Sequence, residues 1–195
     1  MSNARTRWLT YEEEEQLLKS ASPEWLSRVI KFALHTGMRR GEILDIKWSS
    51  INFKRRLVTV ERAKYSKKRS IPMNETLFNL LMQPRVLDTR NRVFPYSASA
   101  VKDAFSRARD KAGIKNFKFH DLRHTFATRL VQNGVDLYKI KDLLGHKDLQ
   151  MSMRYAHHCS ESLRSSVEIL DKLDNSVKIG KVNGAGIIND QLALI

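Results

Sequence analysis

A mainly α-helical domain of the α+β class, carrying one small three-stranded antiparallel sheet near residues 51–72, is the fold this sequence predicts. Three observations lead there. Over most of the chain, apolar residues recur at the i, i+3, i+4 spacing of helices, between recognisable start and stop residues. One stretch, Ile51 to Pro72, changes instead to short β-rich runs around a basic turn. Finally, 195 residues, 42% of them hydrophobic, suffice to bury one substantial core.

Thr10 before Tyr11-Glu12-Glu13 reads as a helix N-cap with a capping-box glutamate, and the acidic first turn suits the positive end of the helix dipole. A helix over about 11–20 follows. Ser22-Pro23 reads as the next start, with proline at the first helical position and Leu26, Val29, Ile30, Ala33 and Leu34 forming an apolar face up to Gly37. Helix resumes from Arg39 to Trp48, turning Ile43, Leu44 and Ile46 inward. Ile51 and Phe53, the turn Lys54-Arg55-Arg56 and the run Leu57-Val58-Thr59-Val60 read as a hairpin, and Arg69-Ser70-Ile71 before Pro72 as a third strand. Between them, Lys64 to Lys68 form an exposed basic loop. Asn74 caps a helix to about Met82, and a longer one runs from Ser99 to Ala112, stopped by Gly113. Further helices are expected over 120–133, 136–144 (cap Asp136, stop Gly145), 148–155 and 161–174. The stretch 177–195 has three glycines and an apolar end, Leu192-Ala193-Leu194-Ile195, and reads as a tail that is either disordered or docked. Ser2-Asn3-Ala4 reads as an expression remnant outside the fold.

A formal net charge of +14 favours a polyanionic partner, nucleic acid before an anionic membrane. No apolar run approaches the roughly 20 residues that span a bilayer, and no charged start leads into an apolar stretch, so a soluble, cytoplasmic protein is expected. Cys159 is the single cysteine, which excludes an internal disulfide and a thiolate zinc cluster. There is no G-x-x-x-x-G-K-[ST] phosphate loop and no clustered acidic triad for paired Mg²⁺ ions, so neither metal nor nucleotide cofactor is expected.

Four places gather polar residues against their local pattern. In Thr36-Gly37-Met38-Arg39-Arg40-Gly41-Glu42, Arg39 and Glu42 lie one turn apart, where a carboxylate can orient a guanidinium; alone, the pair reads first as an ordinary surface ion pair. In His120-Asp121-Leu122-Arg123-His124, His120 and Arg123 share a face at a helix N-terminus, a natural phosphate site. Leu143-Leu144-Gly145-His146-Lys147 sets a histidine just past a glycine stop. In Met153-Arg154-Tyr155-Ala156-His157-His158, the tyrosine reads locally as a core ring with its hydroxyl at the rim.

Each fragment is weak by itself, but their order is not. An arginine after T-G-x, a lysine in a hairpin loop, H-x-x-R, L-G-H, and a tyrosine nine positions past that histidine together resemble the signature of the tyrosine recombinases, the lambda integrase type, over about Thr10 to Ser160. The resemblance implies that Arg39 and Arg123 are catalytic arginines, His120 and His146 the family histidines, Tyr155 the nucleophile, and Glu42 the support of Arg39. Ala63-Lys64-Tyr65-Ser66-Lys67-Lys68-Arg69-Ser70-Ile71-Pro72 resembles T-K-x-x-K-x-R-x-I-P and makes Lys64 the mobile lysine, although Ala63 replaces the threonine and Lys67 and Lys68 remain alternatives.

What this implies is a site-specific DNA recombinase that cuts and rejoins strands through a 3′-phosphotyrosyl intermediate. A phenol with its ordinary pKa is ionised only about once in a thousand at pH 7, so His120 or a nearby group would take its proton. Arg39 and Arg123 would grip the non-bridging oxygens, His146 would add a donor, and Lys64 would protonate the departing 5′ oxygen. Arg40, Arg55, Arg56, Lys67, Lys68, Arg69, Lys115 and Lys118 are candidates for the DNA backbone. By the same resemblance, residues 1–176 form the catalytic domain, 177–195 is a tail exchanged between protomers, and a helical DNA-clamping domain precedes residue 1. The partner is double-stranded DNA, bound by a tetramer on two sites that is a monomer without DNA, and no membrane or small-molecule substrate is expected. Two other readings are a type IB topoisomerase-like relaxation activity and a non-catalytic regulator using residues 136–155 as a helix-turn-helix.

Overall fold

In the computed structural model, the described residues are 7–61, 68–84, 88–158, 167, 168, 170 and 171. The chain divides into two units, Met1–Cys159 and Ser160–Ile195. The first holds eight helices among its described residues: α1 (Tyr11–Ser20), α2 (Trp25–Thr36), α3 (Arg40–Asp45), α4 (Glu75–Met82), α5 (Ala98–Lys111), α6 (Asp121–Gln132), α7 (Leu137–Leu144) and α8 (Gln150–Met153). It also holds three strands, β1 (Ile51–Asn52), β2 (Leu57–Val60) and β3 (Arg69–Pro72), in the order β1-β2-β3 and all antiparallel. Of the helix expected over 161–174, only Val167, Glu168, Leu170 and Asp171 are described, and all four are helical. The stretches 1–6 and 177–195 lie outside the described residues.

The capping signals act as expected. Thr10 Oγ1 accepts from the Glu13 N–H at 3.2 Å while Glu13 accepts from the Thr10 N–H at 3.1 Å, closing the reciprocal box. Asn74 Oδ1 accepts from the Leu77 N–H at 2.9 Å. Three helices differ in their bounds, and the one expected over 148–155 is confined to α8, Gln150–Met153, with Tyr155 just past its end. Helix α2 starts at Trp25 rather than at Pro23, because the Pro23 carbonyl first closes a turn onto the Leu26 N–H. Helix α3 ends at Asp45 rather than reaching Trp48, because the chain leaves it to pair with residues 91–93: Val93 N–H donates to Ile46 O at 2.9 Å and Trp48 N–H to Asn91 O at 3.0 Å.

Period-two alternation sets the faces of the sheet. Val58 pairs with Ile71 and Val60 with Arg69, and all four are buried. Arg69 thus shares the inner face with Ile71, and its guanidinium is carried inward. The main core joins α1 to α5 and the sheet through residues such as Leu17, Ile30, Phe32, Ile43, Val58, Ile71, Leu77 and Phe105. A second cluster, Ala127, Val131, Ile140, Leu144 and Tyr155, fills the space between α6, α7 and the segment after α8. Leu9 N–H donates to Thr125 Oγ1 at 3.0 Å, tying the start of the described chain to α6.

Candidate active site

The site is built around the ends of helices. Gly37 closes α2 at φ +61°, and the chain turns directly into Arg39 and the start of α3. A β-carbon at Gly37 would lie 2.4 Å from Phe126 Cδ1 and 2.9 Å from Leu144 Cδ2, so both conformation and space require glycine. That close approach aims the Gly37 carbonyl at Arg123, whose Nη1 donates to it at 2.9 Å; Arg123 Nη2 donates to Leu144 O at 2.8 Å. The Arg123 guanidinium is therefore held by carbonyls at the C-terminal ends of α2 and α7. Burial, then the charges of Arg39 and Arg69, lower its pKa to about 9, which leaves it cationic at neutral pH. A buried cation held by neutral oxygens keeps a full charge for an anion to neutralise.

Glu42 forms the second anchor. Its carboxylate accepts both Arg69 guanidinium nitrogens, at 3.0 and 2.8 Å, together with the Arg39 N–H at 2.8 Å and Arg39 Nη1 at 3.3 Å. The Glu42 and Arg69 side chains are each only 5% exposed, against 29% for Arg39, so the bidentate pair is the dry one and Arg39 faces outward beside it. Burial alone would raise the Glu42 pKa; the hydrogen bonds and charge of Arg69, helped by Arg39, lower it to about 2. Arg69 Nε continues to Leu143 O at 2.8 Å, joining β3 and α3 to the end of α7.

Gly145, at φ +67°, ends α7 and delivers His146, which is 7% exposed and has Nδ1 2.7 Å from Ser152 Oγ. Burial, then the charges of Arg123, Arg39, Arg154 and Arg69, lower the His146 pKa to about 3. Tyr155 follows α8, with its ring in the second apolar cluster and 1% exposed. Its hydroxyl is 2.7 Å from His124 Nδ1, and the His124 ring packs edge-on to His120 at 5.0 Å. Burial raises the phenol pKa, while Arg123 and Arg154 oppose that rise.

Arg39, His120, Arg123, His146 and Tyr155, named from separate parts of the sequence, thus lie within one electrostatic neighbourhood. Lys64 and its alternative Lys67 lie outside the described residues, and Lys68 pairs with Glu61 at 3.2 Å. Arg69 is a correction: it is a buried partner of Glu42 and not a free backbone contact. Arg56 is likewise engaged, with Glu75 at 2.6 Å and over the Phe78 ring at 4.3 Å. Sequence reasoning passed over His124 and Ser152. The signal for His124 was its position one turn beyond His120; for Ser152 no local pattern pointed at His146.

Arg39, Arg123 and Arg154, with three imidazoles, gather in the neighbourhood of one phenol, an arrangement that suits a phosphate diester beside a nucleophile. The chain belongs to the phage integrase family, which it matches over residues 7–162. It is 30% identical over 190 residues to the integrase of Salmonella phage P22, covering 88% of this chain and 49% of that one. With the shufflon-specific DNA recombinase of Escherichia coli it shares 32% identity over 160 residues, 80% of this chain and 41% of the relative. The chain thus spans about half the length of these relatives or less. Among solved structures, the catalytic domain of bacteriophage HP1 integrase superposes with a TM-score of 0.69 at 29% identity, covering 83% of this chain and 93% of that domain.

Proposed function

We propose that this chain is the catalytic part of a site-specific DNA recombinase that cleaves and rejoins DNA through a 3′-phosphotyrosyl intermediate on Tyr155. The observation that carries this reading is a buried phenol, hydrogen-bonded to an imidazole, among arginines that include the carbonyl-held Arg123. Its relatives include a phage integrase and a DNA recombinase, which agree with that chemistry.

In this scheme Arg39 and Arg123 clamp the non-bridging oxygens of the scissile phosphate, and the charge that develops on those oxygens is neutralised by groups already in place. Glu42 holds Arg39 from behind. His146, oriented by Ser152, donates from its other nitrogen, and His120 packs beside His124. Lys64 protonates the departing 5′ oxygen. The energy of the broken phosphodiester is retained in the phosphotyrosyl bond, so a 5′-hydroxyl from another strand reverses the step and exchanges partners. Arg40, Arg55, Lys115 and Lys118 are exposed and make no ion pair with another described residue, which leaves them for DNA phosphates. Four protomers on two DNA sites, exchanging residues 177–195, complete the assembly.

The test is a pool of nicked duplexes of random sequence, in which release of the short strand traps the cleaved state. The intact protein should give a covalent protein–DNA band on a denaturing gel, and Tyr155→Phe none. An adduct that survives Tyr155→Phe removes the nucleophile assignment. Loss of either Arg39 or Arg123 should slow trapping by about a hundred- to a thousandfold.

A further inference from the structure

The N-cap and first turn of α6 set two imidazoles one turn apart, His120 and His124, on a face that meets the segment after α8. Only one of them touches the phenol: His124 Nδ1 is 2.7 Å from the Tyr155 hydroxyl, with the ring centroids 5.8 Å apart. With the phenol as donor, Nδ1 is the acceptor and the ring proton sits on Nε2, the tautomer that the proposal below requires. Burial, then the charges of His120, Arg154 and Arg123, lower the His124 pKa to about 4, which keeps the ring neutral at pH 7. The groups that face it are His120 and Arg123 on α6 and Arg154 and Tyr155 beyond α8.

We infer that His124 is a catalytic residue of the Tyr155 reaction, the base that takes the phenol proton as the oxygen attacks phosphorus and returns it when the strand is rejoined. The inference rests on the nucleophile reading above and assigns to His124 the proton transfer that the family resemblance left to His120 or a neighbour. The step balances: the Tyr155 O–H bond breaks as an N–H bond forms at Nδ1, the O–P bond forms as the bond to the 5′ oxygen breaks, and that oxygen takes its proton from a separate acid, the part given to Lys64. A weak base in the free protein becomes a stronger one on DNA, because a phosphate entering among Arg39, Arg123 and Arg154 favours the imidazolium. Proton removal is thereby coupled to substrate binding, and the phenol stays protonated until a strand is present.

His124→Asn keeps an acceptor near the Nδ1 position but cannot carry a proton. On the nicked pool it should trap DNA about a hundred- to ten-thousandfold more slowly than the parent. Replacing Tyr155 by 3-fluorotyrosine, whose phenol is more acidic, should recover a larger share of the rate in His124→Asn than it adds in the parent background. A variant held back only by altered packing would gain no such selective rescue. Nitrogen NMR of the intact chain should find His124 protonated at Nε2 and bare at Nδ1 near neutral pH, a measurement that needs no variant to fold. Near-parental trapping by His124→Asn, equal effects of fluorotyrosine in both backgrounds, or an Nδ1–H tautomer would each overturn the role of His124. A parent protein that forms no adduct at all would instead remove the nucleophile reading beneath it.

Discussion

At Glu42 one carboxylate satisfies two guanidiniums and a backbone N–H, so deleting it leaves Arg69 as a buried charge without its counterion. Glu42→Ala should therefore cost about 3–5 kcal/mol in urea unfolding. Combining it with Arg69→Met should cost less than the sum of the two changes, since the pair is removed together; strict additivity would show that the pair is not coupled. The sequence made Arg39 and Glu42 legible because one helical turn relates them. It hid the stronger Arg69 contact, which depends on which face of β3 turns inward and on the sheet docking against α3. Tyr155 is a related case. Locally it reads as a core ring with a hydroxyl at the rim, and its ring is indeed buried, yet the partner of that hydroxyl lies 31 positions earlier. No local spacing separates His124 from His120 as that partner, because the choice rests on the rotation of α6 against the end of α8.

Helix ends carry the site, and the ends most readable in the sequence were those with a cap of their own. Thr10, Asn74 and Asp136 each act within their own helix, as do the left-handed stops Gly37 and Gly145. Two of the ends that differ, at Pro23 and Trp48, are set by a turn or by pairing with residues 91–93, far away in sequence. At Gly37 the consequence is testable. Gly37→Ala meets both a left-handed conformation and the Phe126 ring, so it should destabilise the fold by at least about 1–2 kcal/mol. It should also slow DNA trapping, since the Gly37 carbonyl holds Arg123. Thr10→Ala, remote from the phenol, should lower stability by about 1 kcal/mol and leave the trapping rate of the folded protein unchanged. If Gly37→Ala behaves as mildly as Thr10→Ala in both assays, the close packing of α2 on α6 and α7 is not what positions Arg123.

Across the whole molecule, the buried His146, the half-buried His124 and the Glu42 carboxylate give stability one direction with pH. His146 and His124 have folded pKa values of about 3 and about 4, below the roughly 6.5 of an unfolded histidine. Their contribution is complete above about pH 6.5 and is lost as pH falls toward those values, because the unfolded chain takes up protons that the folded one refuses. Glu42, held at about 2, adds stability above its unfolded pKa of about 4.5 that is lost on further acidification. The urea midpoint should therefore fall steadily from about pH 7 to about pH 4, and His146→Gln should flatten that fall; a midpoint that rose on acidification would contradict the neutral imidazoles. With a net charge of +14, binding to duplex DNA should weaken steeply with salt, and reversing an exposed cation such as Lys118 should reduce the slope. The central claim is that Tyr155 becomes joined to a 3′ phosphate. Protease digestion and mass spectrometry of the trapped complex should find nucleotide on the peptide that contains Tyr155, and the released strand should accept a kinase label directly on a free 5′-hydroxyl. Nucleotide on any other side chain, or a released strand that must be dephosphorylated before it can be labelled, would contradict it.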